Sequence, residues 1–322
     1  MSARILIADC HFGKKSAVPG DILKVCLSLI EDCKSRGIHK ISVLGDLMES
    51  RSIISYKCLR DEVTYWLDEC KKADIEIELL AGNHCFPFMD KRTPSNLREL
   101  DLRGARIIDE ITKEGQILWI PWLYPGEVLD FKGIKVGLGH LAINGMKMSK
   151  TYIADCGIDA PTTTVQLYLG DFHLPQEEGN IRYLGAPVHL TWNDSNTDRH
   201  AVILDDNLDI SEEIRLNDRF CNRIEIDLHN IDSSISVTPG SQVKIRNADI
   251  ADMQHIEQAM IEAGASAVEI IPIDNDLDEG VEDVPESLSV EEAIVELIFS
   301  YDDATRDELI GIHQELLLRV AG

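Results

Sequence analysis

The chain has 322 residues, 44% of them hydrophobic, and a formal net charge of −26. That length allows about two domains, and no apolar stretch approaches the roughly 20 residues needed to cross a bilayer, so a membrane protein is not expected. The acid is concentrated late: residues 201–322 hold 7 Lys+Arg against 29 Asp+Glu, whereas residues 1–200 hold 24 against 28.

In chain order, residues 5–8 read as a strand, entered without the basic segment and long apolar run of a signal peptide. Asp21 is placed to cap a helix to about Ser35, with Ile22, Val25, Leu29 and Ile30 on one face and Gly37 as its stop. Residues 41–44 form a second strand, 56–72 an amphipathic helix and 75–81 a third strand. This alternation marks βαβ units and a largely parallel sheet. Short β-rich runs follow at 107–108, 117–121, 134–138, 165–169, 181–184 and 200–204. The lack of helices between several of them predicts a more antiparallel second half.

A boundary is expected near 217–222, giving a first domain of residues 1–218. Residues 219–273 then read β-β-α-β: 223–228, 242–245, a helix over 250–263 ended by Gly264, and 267–272. Residues 274–287 form an acidic linker. Ser289 with Glu292, and Thr305 with Glu308, are capping boxes that open two helices within 288–322. Their apolar faces (Ile294, Leu297 and Ile298; Leu309, Ile312 and Leu316) either pack internally or dock another protein. The eight cysteines lack CxxC spacing and fit reduced thiols in the cytoplasm.

Five polar clusters each follow a strand-like run: Asp9-Cys10-His11, Gly45-Asp46-Leu47-Met48-Glu49, Gly82-Asn83-His84, Gly139-His140 and Gly170-Asp171-Phe172-His173. Loops at the carboxyl ends of strands in an α/β sheet converge on one crevice, so these residues can meet. Asp9, His11, Asp46, Asn83, His140, Asp171 and His173 supply the carboxylate, imidazole and amide oxygen that manganese and similar ions prefer. Asp9 and His11 are two apart and share a side of extended chain. Asp46 follows a glycine and could bridge two ions. Two such ions about 3.5–4 Å apart hold phosphoryl oxygens and generate hydroxide, and His84 could protonate a leaving group as general acid.

This series of motifs resembles the calcineurin-like metallophosphoesterases. The strings from Asp171 to Gln176 and Tyr183 to Pro187 are similar to the SbcD-type DNA repair nucleases. The string Gly139-His140 to Asn144-Gly145, the acidic stretch and the terminal helices are similar to the nuclease subunits of T-even phage recombination complexes. The resemblance implies an α/β fold, a four-layer α/β/β/α sandwich with a small α+β capping domain and a C-terminal helical hairpin. It implies a DNA exonuclease or endonuclease active in recombination and repair. Two Mn2+ would be bound, with Mg2+ as the alternative: one by Asp9, His11, Asp46 and His173, the other by Asp46, Asn83, His140 and Asp171. His84 would be the catalytic histidine. The hairpin would dock on an SbcC-type coiled-coil ATPase, with the chain as a homodimer inside a heterotetramer on DNA, in the cytoplasm of the host cell for a phage-borne chain. The acidic total fits a partner that supplies basic surface, since phosphate affinity comes mainly from Lys and Arg.

Three residues depart from the family's pattern. Asp171 stands where a His is usual, Glu49 where Asp is commoner, and Cys85 where an acid follows the catalytic histidine. Two other readings share the motifs: a protein or small-molecule metallophosphatase, and a catalytically weakened scaffold that organises the ATPase. His189 and His200 are expected to be structural.

Overall fold

The computed structural model describes residues 2–50, 58–88, 91–155, 157–232 and 234–273. The acidic stretch 274–287 and the expected docking residues Ile294, Leu297, Ile298, Leu309, Ile312 and Leu316 lie outside them.

Two six-stranded sheets carry the fold. In the first, β1 (Arg4–Ile7), β2 (Lys40–Leu44), β3 (Glu76–Leu80) and β4 (Arg106–Ile108) lie parallel in that order. Antiparallel β11 (His200–Leu204) and β12 (Ile210–Arg215) extend it beyond β1. The second has the order β5 (Thr112–Glu114), β6 (Ile117–Ile120), β7 (Val136–His140), β8 (Gln166–Gly170), β10 (Ile181–Tyr183) and β9 (Gln176–Glu178).

Period-two alternation sorts the side chains into layers. Ile5, Ile7, Ile41, Val43, Ile77 and Leu79 face one way. They pack against α1 (Asp21–Arg36) and α2 (Tyr65–Lys72), which bury Val25, Leu29, Trp66 and Cys70. Leu6, Ala8, Leu44 and Leu80 face the other way, onto Trp119, Val136, Leu138 and Tyr168 of the second sheet. On the far side of that sheet, Leu118, Ile120, Leu167 and Leu169 are covered by Leu141, Ile143, Met146 and Ala154, with Leu129 and Phe131 packed alongside. The layered α/β sandwich is thus present, and among the described residues loops cover its fourth side.

Two sequence expectations need correction. The second half is the more antiparallel, through β5, β9, β11 and β12, but not at the strands that suggested it: β4 pairs parallel with β3, and β6, β7, β8 and β10 are parallel to one another. The parallel crossovers run through the irregular segments 121–135 and 141–165, so the missing helices did not signal hairpins. Nor does Asp21 cap α1. The N-cap is Gly20 at φ 83°, and the Asp21 carboxylate accepts the Cys221 N–H at 2.8 Å.

The remaining described strands are β13 (Arg223–Asp227), β14 (Gln242–Ala248) and β15 (Ala267–Pro272), all parallel, with α3 (Met253–Glu262) between the last two. They close on a small core of Ile224, Val243, Ile245 and Ala248. No described helix is long and apolar enough to cross a membrane.

Candidate metal centre

All five clusters sit at the carboxyl ends of parallel strands: β1, β2 and β3 of one sheet, β7 and β8 of the other. The sheets are stitched together at this end, where the Trp122 N–H donates to Ala81 O at 3.0 Å. The first two loops continue the pairing of β1 with β2. His11 N–H reaches Asp46 O at 2.9 Å, Phe12 N–H reaches Leu47 O at 2.9 Å, and Glu49 N–H reaches Phe12 O at 3.1 Å.

Local backbone conformation aims the ligands. Asp9 (φ 51°), His11 (φ 47°), Asp46 (φ 43°) and Asp171 (φ 101°) all lie in the left-handed half of conformational space. Non-glycine residues enter it at a cost, and such strain collects at functional sites. The motif glycines answer to the same crowding. A Cβ on Gly45 (φ +90°) would fall 1.7 Å from His140 Nδ1, and one on Gly82 2.2 Å from Asp46 Oδ1. Gly45→Ala is therefore expected to destabilise the protein by at least about 1–3 kcal/mol from backbone strain alone, read as a lower urea midpoint.

Asp46 is the hub. Its Oδ1 accepts the His84 N–H at 3.0 Å. Its Oδ2 lies 3.4 Å from His140 Nε2, 3.7 Å from His11 Nε2 and 4.0 Å from His84 Nε2. Two groups of potential ligands share it: His11, Asp46 and His84, and Asp9, Asp46 and His140. His173 joins the first through its Nε2, 3.0 Å from His11 Nε2. Asn83 and Asp171 join the second: His140 Nε2 is 3.1 Å from Asn83 Oδ1 and 3.5 Å from Asp171 Oδ1. Asp171 N–H donates to Asp9 Oδ1 at 3.0 Å. The structure thus brings together Asp9, His11, Asp46, Asn83, His84, His140, Asp171 and His173. Asp171 points into the second group despite the departure from histidine.

The donor set fits hard divalent cations. Asp9, His11, Asp46 and His140 are each at most 2% exposed, so two carboxylates, with Asp171 beside them, crowd one desolvated pocket, and two imidazole nitrogens of the first group face each other. Burial pushes Asp9 up to about 8 and Asp171 up to about 6, each partly opposed by His140. Burial also opposes the charge on His140, but Asp46, then Asp9 and Asp171, outweigh it and lift the imidazole to about 10. For Asp46, burial acts upward and is overcome by His140 and His84, which keep it ionised. Burial lowers His173 to about 3, so it is a neutral imidazole with a free lone pair.

The sign of the pH dependence follows. Between the ordinary and raised values of Asp9 and His140, the folded metal-free protein holds protons that the unfolded chain has lost. His11, His173 and His189, held neutral by burial, act the other way while the unfolded chain's histidines titrate, so the net fall in stability runs from about pH 7 towards 8 and above. A cation must displace those protons, so its affinity rises over the same range. Denaturation at pH 7, 8 and 9 is expected to show falling stability in chelator. Added Mn2+ should flatten or reverse that trend, contributing about 2.7 kcal/mol at a hundredfold excess over Kd. An upward trend in chelator would contradict this account.

Further residues surround the centre. Lys14, unmarked by any motif, donates to Glu49 Oε1 at 2.7 Å. The fully buried Arg199 donates to the His173 carbonyl and, at 2.8 Å, to Asp194 Oδ1. The Trp122 ring lies 6.4 Å from that of His140. Nothing in the sequence flagged these three, whose roles arise from contacts between distant loops. Cys10 and Cys85 are buried and belong to neither ligand group. His189 is structural, receiving the Arg223 N–H at Nδ1, 2.9 Å away.

No family model matches the sequence. Among solved structures, the chain is similar to the nuclease MPE of Pseudomonas putida, with a TM-score of 0.31 and 16% identity. That match spans 56% of this chain and 66% of the other, just under two thirds of its length. Among curated proteins, the chain is similar to exonuclease subunit 1 of Enterobacteria phage T4, 27% identical over an alignment of 237 residues; the match covers 68% of this chain and 69% of that protein.

Proposed function

We propose that this chain is a metal-dependent DNA nuclease, the hydrolytic subunit of a complex that processes DNA ends in recombination and repair. The reading is supported chiefly by the meeting of seven candidate ligands from five loops around the shared carboxylate of Asp46. The likeness to a phage exonuclease subunit agrees with it. In this reading Asp9, His11, Asp46 and His173 hold one Mn2+, and Asp46, Asn83, His140 and Asp171 the other, with Mg2+ as the alternative. Bound there, the pair would supply charge neutralisation for a phosphodiester and a hydroxide nucleophile at neutral pH.

The chain's own residues do the rest. Asp46 stays ionised between the two ligand groups and fixes their separation. His84 presents Nε2 towards the centre; as the imidazolium, with Nδ1–H kept on the Glu49 carbonyl, it delivers the Nε2 proton to the leaving oxygen and returns to the neutral Nδ1–H form. The buried pocket keeps the neutral imidazoles of His11 and His173 available as ligands. Partners follow from the same reading: a homodimer within a heterotetramer, an SbcC-type coiled-coil ATPase docked on residues 288–322, and work in the host-cell cytoplasm. A partner's basic surface would offset an acidic chain on DNA.

The test is direct. The purified chain, alone and with an SbcC-type ATPase, should degrade linear DNA in Mn2+ and lose that activity in chelator. Hydrolysis confined to phosphomonoesters or phosphoproteins would instead favour a phosphatase. Absence of all hydrolysis with tight ATPase binding would favour a scaffold.

A further inference from the structure

Glu49 closes the ladder between the first two loops, and its N–H bond to Phe12 O fixes its backbone independently of its side chain. Its three acceptors point to three different groups. The main-chain oxygen meets His84 Nδ1. Oε1 accepts from Lys14 Nζ at 2.7 Å. Oε2 lies 2.6 Å from His11 Nδ1, off the ideal hydrogen-bond line, and neither atom has another partner among the described residues.

A neutral imidazole carries one ring proton, and its location is set by what the other nitrogen meets. An ionised carboxylate only accepts, so it draws the proton of His11 to Nδ1. That leaves the Nε2 lone pair facing inward, 3.0 Å from His173 Nε2 and 3.7 Å from Asp46 Oδ2. The Glu49 carbonyl does the same for His84, whose Nε2 then faces Asp46 Oδ2 at 4.0 Å.

We propose that Glu49 is a positioning residue that sets the tautomers of two histidines through different groups: its carboxylate, steadied by Lys14, sets His11, and its peptide carbonyl sets His84. The proposal rests on the metal-centre reading, because it is as a ligand that His11 needs its inward lone pair. It also separates the two histidines, since a side-chain substitution at position 49 reaches His11 and leaves the carbonyl that holds His84 in place.

The isosteric Glu49→Gln variant tests it. An amide has only one acceptor oxygen, and Lys14 takes it. The NH2 then faces His11 Nδ1, which must accept, so the ring proton moves to Nε2. Mn2+ binding to the full chain, measured by calorimetry, is expected to weaken about 10–100-fold, the usual effect of losing a group that orients a ligand. Imidazole 15N spectra of the metal-free chain are expected to show His11 change from Nδ1–H to Nε2–H while His84 does not. Adding Lys14→Met frees the amide oxygen to turn to His11 and is expected to restore most of the affinity. Wild-type binding by Glu49→Gln, an unchanged His11 tautomer, or no recovery in the double variant would overturn the proposal. The spectra need no metal, so they decide the tautomer even if the wild-type chain binds no Mn2+, an outcome that would overturn the metal reading instead.

Discussion

Asp46→Asn is expected to lower DNA hydrolysis by at least about a thousandfold, more than the 10–100-fold typical of residues that merely orient ligands. Asp46 belongs to both ligand groups. It also receives the His84 N–H that positions the third loop. The asparagine keeps shape and volume, so what is removed is the charge that offsets three neighbouring imidazoles. Without it, His140 should titrate at lower pH, because Asp46 is the leading cause that raises it. The fold should survive, since losing a buried charge whose neighbours can shed a proton is not like breaking a rigid ion pair. Three measurements check this: turnover of linear DNA in Mn2+, metal stoichiometry, and the urea midpoint in chelator. Turnover within tenfold of wild type would remove Asp46 from the centre of the site.

His84→Ala has the second-largest expected effect, a fall of about 10²–10⁴-fold in kcat, the range for a lost general acid. Metal binding should be nearly unchanged. The side chain is 16% exposed where Asp46 is 3%, so it can reach a substrate. Its Nδ1 is committed to the Glu49 carbonyl, which leaves Nε2 for proton transfer. The diagnostic lies in the leaving group. A p-nitrophenyl ester departs without protonation, so His84→Ala should damage its hydrolysis far less than that of DNA. Equal losses on both substrates would assign His84 to binding rather than proton transfer.

The loops that carry the candidate ligands were legible because their chemistry is local. Asp46 and Asn83 each follow a glycine, and the crowding around Gly45 and Gly82 explains why no side chain fits there. The parallel first sheet was legible for a similar reason, as α1 and α2 announce its crossovers by periodicity. The second sheet was not. Its crossovers are irregular, and its edge strands β5 and β9, like β12 of the first sheet, are short or polar stretches such as Thr112–Glu114 and Gln176–Glu178 with little apolar alternation. The Lys14–Glu49–His11 cluster was hidden for another reason. It joins residues 35 apart in sequence through pairing that begins only where the regular strands end.

That pairing also governs how the centre comes apart. His11, Phe12 and Glu49 each have their backbone N–H engaged by the opposite loop, so neither loop can fray without releasing the other. Segments linked in this way open as one cooperative unit, with a single opening free energy. The amides of His11, Phe12 and Glu49 should accordingly exchange with solvent at a common rate. Release of a metal held there would then follow the lifetime of one closed state rather than the strengths of its separate ligand bonds.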